Sequence, residues 1–127
     1  MMQRTIALTV IAFFLLCISL GFADAQLHTP KASTKRADSV LFEQAQKALN
    51  KSNFAGARTL LTSLIDTFPD SSYVPRAKLS IADSWYSEHA FKHAESEYRD
   101  FITFFPNRPE VAEAQRRVNS IHRITGF

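Results

Sequence analysis

The sequence predicts an all-α fold: a short solenoid of helical hairpins, with two repeats and a C-terminal capping helix. The stretches NFAGARTLLTSLIDTFPDS and AFKHAESEYRDFITFFPNR carry apolar residues at matching positions, 37 residues apart. A fixed period of about 20–50 residues is typical of arrays in which each hairpin buries one face against its neighbour. Apolar residues also recur at spacings of three and four, and no segment alternates as a strand does.

Composition excludes several classes of protein. The chain has 127 residues, of which 46% are hydrophobic and 21% charged, so it suits one folded domain and is not a disordered or low-complexity chain. The formal net charge is +3, but basic and acidic residues are interspersed rather than segregated. Because nucleic-acid binding usually needs a clustered basic surface, we expect no nucleic-acid partner.

Residues 1–25 predict a secretory signal peptide. Arg4 precedes an apolar run over residues 6–22, and the sequence Ala-Asp-Ala that ends at Ala25 is typical of a cleavage site. The apolar run is shorter than the roughly 20 residues of a membrane-spanning helix. We therefore expect cleavage after Ala25 and export of the mature chain.

The single cysteine, Cys17, lies inside this apolar run. A chain that starts at Gln26 would therefore have no cysteine and no disulfide. The alternative is a lipid attached to Cys17, but Leu16 stands where lipoprotein processing needs a small residue, and apolar residues follow. A signal peptide without lipidation is the favoured interpretation. Membrane association would then depend on partners, or on a lipid anchor if Cys17 is modified.

The polar segment 26–38 contains proline, hydroxyl and basic residues, which is typical of a flexible tether. The helical repeat domain is expected over residues 39–124. Its first helix is predicted at about 39–51, because apolar residues recur there at three- and four-residue spacing. Asn53 ends this helix and can cap the second, which is predicted at 54–67.

Prolines and capping residues define the remaining helices. The second helix stops at FPDSS, because the residue before a proline is disfavoured in helical conformation. The third, at about 74–88, tolerates Pro75 in its first turn. The fourth, at about 91–104, repeats the second, and FPNRPE then supplies start signals for a fifth helix that extends to about 123.

Each repeat places the same types of residue at the same positions. A small residue occurs where two helices must approach closely, an aromatic residue at the turn and a proline after the second helix. These structural positions are Ala45, Phe54, Ala57 and Pro69 in the first repeat and Ala82, Phe91, Ala94 and Pro106 in the second. Their order resembles the tetratricopeptide repeat, whose usual period of about 34 residues is slightly shorter. Such a repeat predicts architecture and names no chemistry.

A longer motif narrows the resemblance. The stretch FPDSSYVPRAKLSIADSWYSEHAFKHAESEYRDFITFFPNRPEVAEAQ is similar to the BamD family of the outer-membrane β-barrel assembly machinery, and the similarity covers roughly residues 40–122. That resemblance implies a non-catalytic periplasmic protein at the outer membrane, with assembly subunits or barrel substrates as partners. The PDSxYxP type of linker also resembles the periplasmic repeat domain of the CpoB family. This second resemblance implies a coordinator in Tol-Pal and peptidoglycan maintenance.

The tetratricopeptide resemblance also implies a binding surface, since the first helix of each hairpin lines a concave groove in that family. Aligned on this sequence, the expected groove residues are Phe42, Gln46, Leu49, Asn50, Arg76, Leu79, Asp83, Tyr86 and Arg116. Exposed apolar side chains with polar neighbours suit recognition of a peptide or a partner subunit. The alternative is that the apolar members of this set, Phe42, Leu49, Leu79 and Tyr86, fold into the core.

No residues indicate catalysis or a cofactor. The sequence lacks a strand–Ser–helix motif and a glycine-rich phosphate loop. His89 and His93 have a spacing that suits a metal on one helix, but His89 is placed in a turn and no third ligand is obvious. We therefore expect no enzyme activity, metal or cofactor. Because two repeats are few for a solenoid, self-association could cover an open end.

Overall fold

The structure is a computed structural model that describes the backbone of residues 31–126 and the side chains of residues 37–126. Over this range the chain forms five helices and no strand, which confirms the all-α prediction. The helices are α1 (Lys31–Asn50), α2 (Phe54–Thr67), α3 (Val74–Ser87), α4 (Phe91–Phe104) and α5 (Val111–Thr125). None of them is both long enough and apolar enough to span a bilayer.

The first helix differs from the prediction at its start. Helix α1 begins at Lys31, so residues 31–38, which were assigned to the tether, are helical. The sequence KASTKRAD has good helix formers but no apolar periodicity. Because the start of the helix was predicted from apolar periodicity, these residues did not indicate a helix. The predictions for residues 1–25, including Cys17, lie outside the described residues.

Asp38 anchors helix α1 to the loop between α2 and α3. The Ser71 hydroxyl donates to Asp38 Oδ2 at 2.5 Å, and Asp38 is only 4% exposed. Ser71 Oγ also accepts from the backbone amide of Tyr73 at 3.2 Å. Because a buried carboxylate is costly without hydrogen bonds, this contact fixes the register of α1 against the second hairpin.

The hairpin turns repeat in backbone conformation as well as in sequence. Ser52 and His89, which are 37 residues apart, both adopt left-handed conformation, with φ of 57° and 60°. In each turn the amide of the following residue donates to the carbonyl five residues before it, at 2.9 Å in the first turn and 3.0 Å in the second. This arrangement satisfies the last helical carbonyls and reverses the chain.

Two clusters of buried side chains form one continuous core. The first joins α1, α2 and α3 through Phe42, Ala45, Leu61, Leu64, Val74, Ala77 and Ile81. The second joins α3, α4 and α5 through Ala82, Ala94, Tyr98, Phe101, Ala114, Val118 and Ile121. Trp85 and Phe105 pack against both clusters. The repeat alanines at positions 45, 57, 82 and 94 are all 0% exposed, which lets the helices cross closely.

The two end helices carry polar residues at repeat positions that are apolar and buried in a neighbouring repeat. Ile81 and Val118 are buried, whereas Gln44, 37 residues before Ile81, is exposed on α1. Likewise Ala82 is buried, whereas Asn119, 37 residues after it, is exposed on α5. Polar outer faces are what terminal repeats of a solenoid need for solubility. Helix α5 is therefore the predicted C-terminal capping helix.

Candidate partner-binding groove

The first helices of the hairpins, α1, α3 and α5, are joined in order by side-chain contacts, α1 to α3 and α3 to α5. Gln46, Asp83 and Ser120 occupy equivalent positions, each 37 residues from the next. In a curved array of helical hairpins, equivalent residues of successive repeats form rows along one extended surface. We call the surface built by these three helices the groove.

Helices α1 and α3 meet through a polar contact and a cation–π contact. The Gln46 side-chain amide donates to Ser80 Oγ at 3.4 Å. The Arg76 guanidinium lies 4.9 Å from the centre of the Phe42 ring. Arg76 forms no ion pair within residues 37–126, so its positive charge is available on this part of the groove.

Helices α3 and α5 meet around Tyr86. Its hydroxyl lies 3.3 Å from Ser120 Oγ, and the Arg117 guanidinium lies 4.8 Å from the centre of its ring. Glu113 holds Arg117 from the same helix, with 3.3 Å between Glu113 Oε1 and Arg117 Nε. These contacts fix an aromatic ring and a cation side by side on the groove surface.

Asp83 lies in the middle helix of the groove and is held from behind by the second helix of its hairpin. The fully buried Tyr98 of α4 donates its hydroxyl hydrogen to Asp83 Oδ1. Asp83 as a residue is exposed, yet protein surrounds its carboxylate closely enough that burial raises its pKa, against the opposing effects of Tyr98 and Arg117. An exposed residue whose carboxylate is partly desolvated and held by a specific hydrogen bond is a candidate for a functional role.

Burial also raises the pKa of Tyr98, and its hydrogen bond to Asp83 adds to the increase. The raised pKa favours the neutral phenol, which donates to the Asp83 carboxylate. The pair has one stable hydrogen-bond direction, which orients the Asp83 side chain.

For Phe42 the structure decides between the two alternatives, the groove and the core, in favour of the core. Its side chain is only 5% exposed and belongs to the core, so it presents little surface to a ligand. Tyr73, from the loop before α3, stacks on the Phe42 ring with 4.9 Å between ring centres. Together with Arg76 it covers the ring, and repeat alignment alone could not place this loop residue.

The other expected groove residues divide into exposed and partly buried side chains. Asn50, Arg76, Asp83 and Arg116 are exposed, and Gln46, Leu49, Leu79 and Tyr86 are partly buried. Leu79 and Tyr86 also pack against the second core cluster. The aromatic and apolar members therefore support the fold with one side and leave the other side accessible.

Sequence reasoning missed Ser80, Arg117 and Ser120, which make contacts across the groove. The 37-residue period contained the signal, because Ser80 and Arg117 are equivalent positions and Ser120 is equivalent to Asp83. The 37-residue period therefore predicts these three residues as groove residues when it is extended from the core positions to the surface.

The two histidines considered for a metal lie in different settings. His93 stacks on Trp85 with 4.9 Å between ring centres, and His89 meets the edge of Phe91 at 5.6 Å. Among the residues whose side chains are described, no three His, Cys, Asp or Glu residues come together in a way that could hold a metal ion.

A second concave surface lies between α2 and α4. It has a volume of about 600 Å³ and is lined by side chains that include Thr62, Asp66, Lys78 and Trp85. At one end the Arg58 guanidinium lies 3.5 Å above the Trp85 ring and pairs with Glu88 at 2.6 Å. These contacts tie α2 to α3.

Comparison with known families identifies a match over most of the described chain. The model of a family described as "YfiO: Outer membrane lipoprotein" matches residues 34–116, which is 83 of the 127 residues. The matched range includes both hairpins, apart from the first three residues of α1, and the start of α5. A search among curated proteins finds no match.

Proposed function

The chain belongs to the YfiO family of outer membrane lipoproteins, and from this membership we propose that it acts in the assembly of outer-membrane β-barrel proteins. In this proposal the protein is a non-catalytic interaction module on the periplasmic side of the outer membrane. The observation that carries the proposal is the groove, a surface built by equivalent residues of three helices within a family of envelope proteins. Its ligand is an extended or helical segment of a barrel substrate or an assembly subunit.

The groove is suited to bind such a segment with little rearrangement. Asp83 is oriented by Tyr98, and Tyr86 is held by Ser120 and Arg117, so the principal side chains of α3 are fixed before a ligand arrives. Preorganised side chains lose less conformational entropy on binding than free ones. The accessible sides of the partly buried apolar residues supply contact area, and the polar rows supply specificity.

Membrane attachment by a lipid on Cys17 is part of the proposal, because the family is described as lipoproteins. The alternative is cleavage after Ala25, with attachment through partners. Mass spectrometry of the N-terminal peptide distinguishes them. An acylated peptide that begins at Cys17 supports the anchor, whereas a peptide that begins at Gln26 contradicts it.

Affinity capture from mild-detergent envelope extracts tests the proposed function. A C-terminally tagged protein should recover β-barrel assembly subunits or unfolded barrel proteins. The variant Ser80→Arg fills the groove between α1 and α3, so it should lose them. The matched variant Ser63→Arg, on the exposed face of α2, should retain them.

The identity of the captured proteins decides between the assembly role and the envelope-coordinator alternative. Recovery of Tol-Pal or peptidoglycan-synthesis proteins in place of assembly proteins would overturn the assembly role and support the envelope-coordinator alternative. Equal recovery by both arginine variants would show that the partner binds elsewhere. Circular dichroism of each purified variant establishes beforehand that the helices are intact.

A further inference from the structure

The central row of the groove contains one charged residue. Gln46 and Ser120 are neutral, so Asp83 supplies the only formal charge at this register. Asp83 lies on α3, the middle of the three groove helices, and a segment that crosses the groove must pass over α3. Whatever binds across all three helices therefore lies close to this carboxylate.

One oxygen of the Asp83 carboxylate is engaged and the other is free. Tyr98 donates to Oδ1 from behind the groove. Among the side chains described, residues 37–126, Tyr98 is the hydrogen-bond partner of this carboxylate, and its bond is to Oδ1 rather than Oδ2. A carboxylate held at one oxygen by a buried phenol points its second oxygen in a defined direction, which suits a specific donor on the ligand.

From this geometry we propose that Asp83 selects partner segments that carry a basic side chain, which binds Oδ2 in the middle of the groove. The proposal rests on the proposed function, because it names the chemistry of the segment that the groove receives. A lysine ammonium or an arginine guanidinium provides the donor and the positive charge.

Among residues 37–126, no cationic side chain forms an ion pair with the Asp83 carboxylate. Tyr98 faces it from α4, and Arg117 and Glu113 act on it from α5. Within residues 37–126, Arg117 forms its ion pair with Glu113 and none with Asp83. The Arg117 guanidinium lies 4.8 Å from the centre of the Tyr86 ring, and its charge lowers the pKa of Asp83 from there.

Burial raises the pKa of Asp83, because removing the carboxylate from water disfavours its charged form. A cation from a bound segment would offset that effect and lower the pKa again. Binding of a basic segment should therefore strengthen as the pH rises through the pKa of Asp83 in the free protein.

Two substitutions separate recognition from a purely structural role. Asp83→Asn removes the charge but keeps an oxygen that accepts from Tyr98, so the fold should be retained. Tyr98→Phe keeps the charge but releases the carboxylate, so Tyr98 acts as a positioning residue. Asp100→Asn is the matched control, because Asp100 is exposed on α4 and lies outside the groove.

The experiment uses the tagged protein and a pair of synthetic 12-residue peptides from the C-terminal strand of an outer-membrane barrel protein. The two peptides differ only at one position, which carries lysine in one and norleucine in the other. Further pairs place this lysine or norleucine at other positions along the strand. At the position that reaches Asp83, the lysine peptide should bind about tenfold more tightly, as expected for a charge-assisted hydrogen bond.

Asp83→Asn should bind the two peptides about equally, because its affinity for the lysine peptide falls and its affinity for the norleucine peptide does not. Tyr98→Phe should lose part of the preference for the lysine peptide. Asp100→Asn should leave it unchanged. Binding of both peptides with no preference at any position overturns the role of Asp83 but leaves the proposed function standing. Binding of neither peptide overturns the barrel-substrate proposal and the inference together. The carbon-13 shift of the Asp83 carboxyl gives an independent measurement, because its pKa should fall when the lysine peptide binds.

Discussion

The hydroxyl of Tyr98, a fully buried residue of α4, donates a hydrogen bond to the Asp83 carboxylate on α3. Tyr98 belongs to the repeat core, at the position where the first repeat has Leu61, which is 37 residues earlier and also fully buried. One residue therefore packs the second hairpin and orients the charged residue of the groove. The stability of the second hairpin and the proposed recognition by Asp83 therefore depend on the same residue.

Removing the Tyr98 hydroxyl should destabilise the protein by about 1–2 kcal/mol, because a buried hydrogen bond to a charged acceptor is lost while the ring still fills its space. The measurement is urea denaturation of Tyr98→Phe and of the wild type. Tyr86→Phe is the control, since its hydroxyl lies 3.3 Å from the neutral Ser120 hydroxyl, belongs to a partly buried residue and should matter less. Equal losses in both variants would contradict the special role of Tyr98.

The raised pKa of Asp83 predicts a definite pH dependence of stability. Its folded-state pKa lies above the unfolded value, so the folded protein binds the proton more tightly. The wild type should therefore gain stability relative to Asp83→Asn as the pH falls from neutral through the folded-state pKa, and this gain should level off below the unfolded pKa. Urea denaturation of both proteins over this range checks the sign. A difference that moved in the opposite direction would mean that the pKa is lowered.

Ala57→Leu should destabilise the protein by about 1–3 kcal/mol, because Ala57 is 0% exposed at a helix crossing and extra methyl groups have no space there. The same change at Ala55, which is exposed on the same helix, should have little effect on the free energy of unfolding. Thermal melts followed by circular dichroism measure both. Indistinguishable melts for Ala57→Leu and the wild type would refute the close crossing.

Ser52→Gly should stabilise the protein by roughly 0.5–1 kcal/mol, because glycine adopts the left-handed conformation of residue 52 without steric strain. Lys51→Gly, one residue earlier, is the control: its φ is negative, so it should gain nothing and lose chain entropy. The two effects on the urea midpoint should have opposite signs. A loss of stability in both would show that the turn does not require this conformation.

Ser71→Ala should loosen helix α1, because the buried Asp38 carboxylate then loses the hydroxyl that binds Oδ2 at 2.5 Å. Hydrogen exchange should become faster in the first described turns of α1 and stay unchanged in α4. Ser72→Ala, at the exposed neighbouring position, is the matched control. If neither variant changes exchange in α1, the anchor does not hold this helix.

The architecture could be predicted from the sequence wherever strong local signals coincide with the repeat. The bounds of α2 and α4 match the predicted 54–67 and 91–104, because Asn53 caps one helix and a Phe-Pro pair ends each. The start of α1 could not be predicted in the same way. Residues 31–38 form a polar helix, and a polar helix has no apolar stripe to indicate its presence.

The groove was only partly predictable, because its surface depends on contacts between distant residues. Phe42 has the spacing of a groove residue, but Tyr73 from an irregular loop covers it. The orientation of Asp83 depends on Tyr98, 15 residues later in the chain and on another helix. Repeat alignment identifies equivalent positions, whereas burial and orientation require the packed structure.

Site-specific photo-crosslinking in intact cells is the most direct test of the groove as the partner-binding surface. A photoreactive phenylalanine analogue at Tyr86 lies on the groove, and the same analogue at Thr62 lies on the surface between α2 and α4. The account predicts crosslinks from position 86 to β-barrel assembly subunits or barrel substrates, and few from position 62. Crosslinks to these proteins from position 62 and none from position 86 would contradict it.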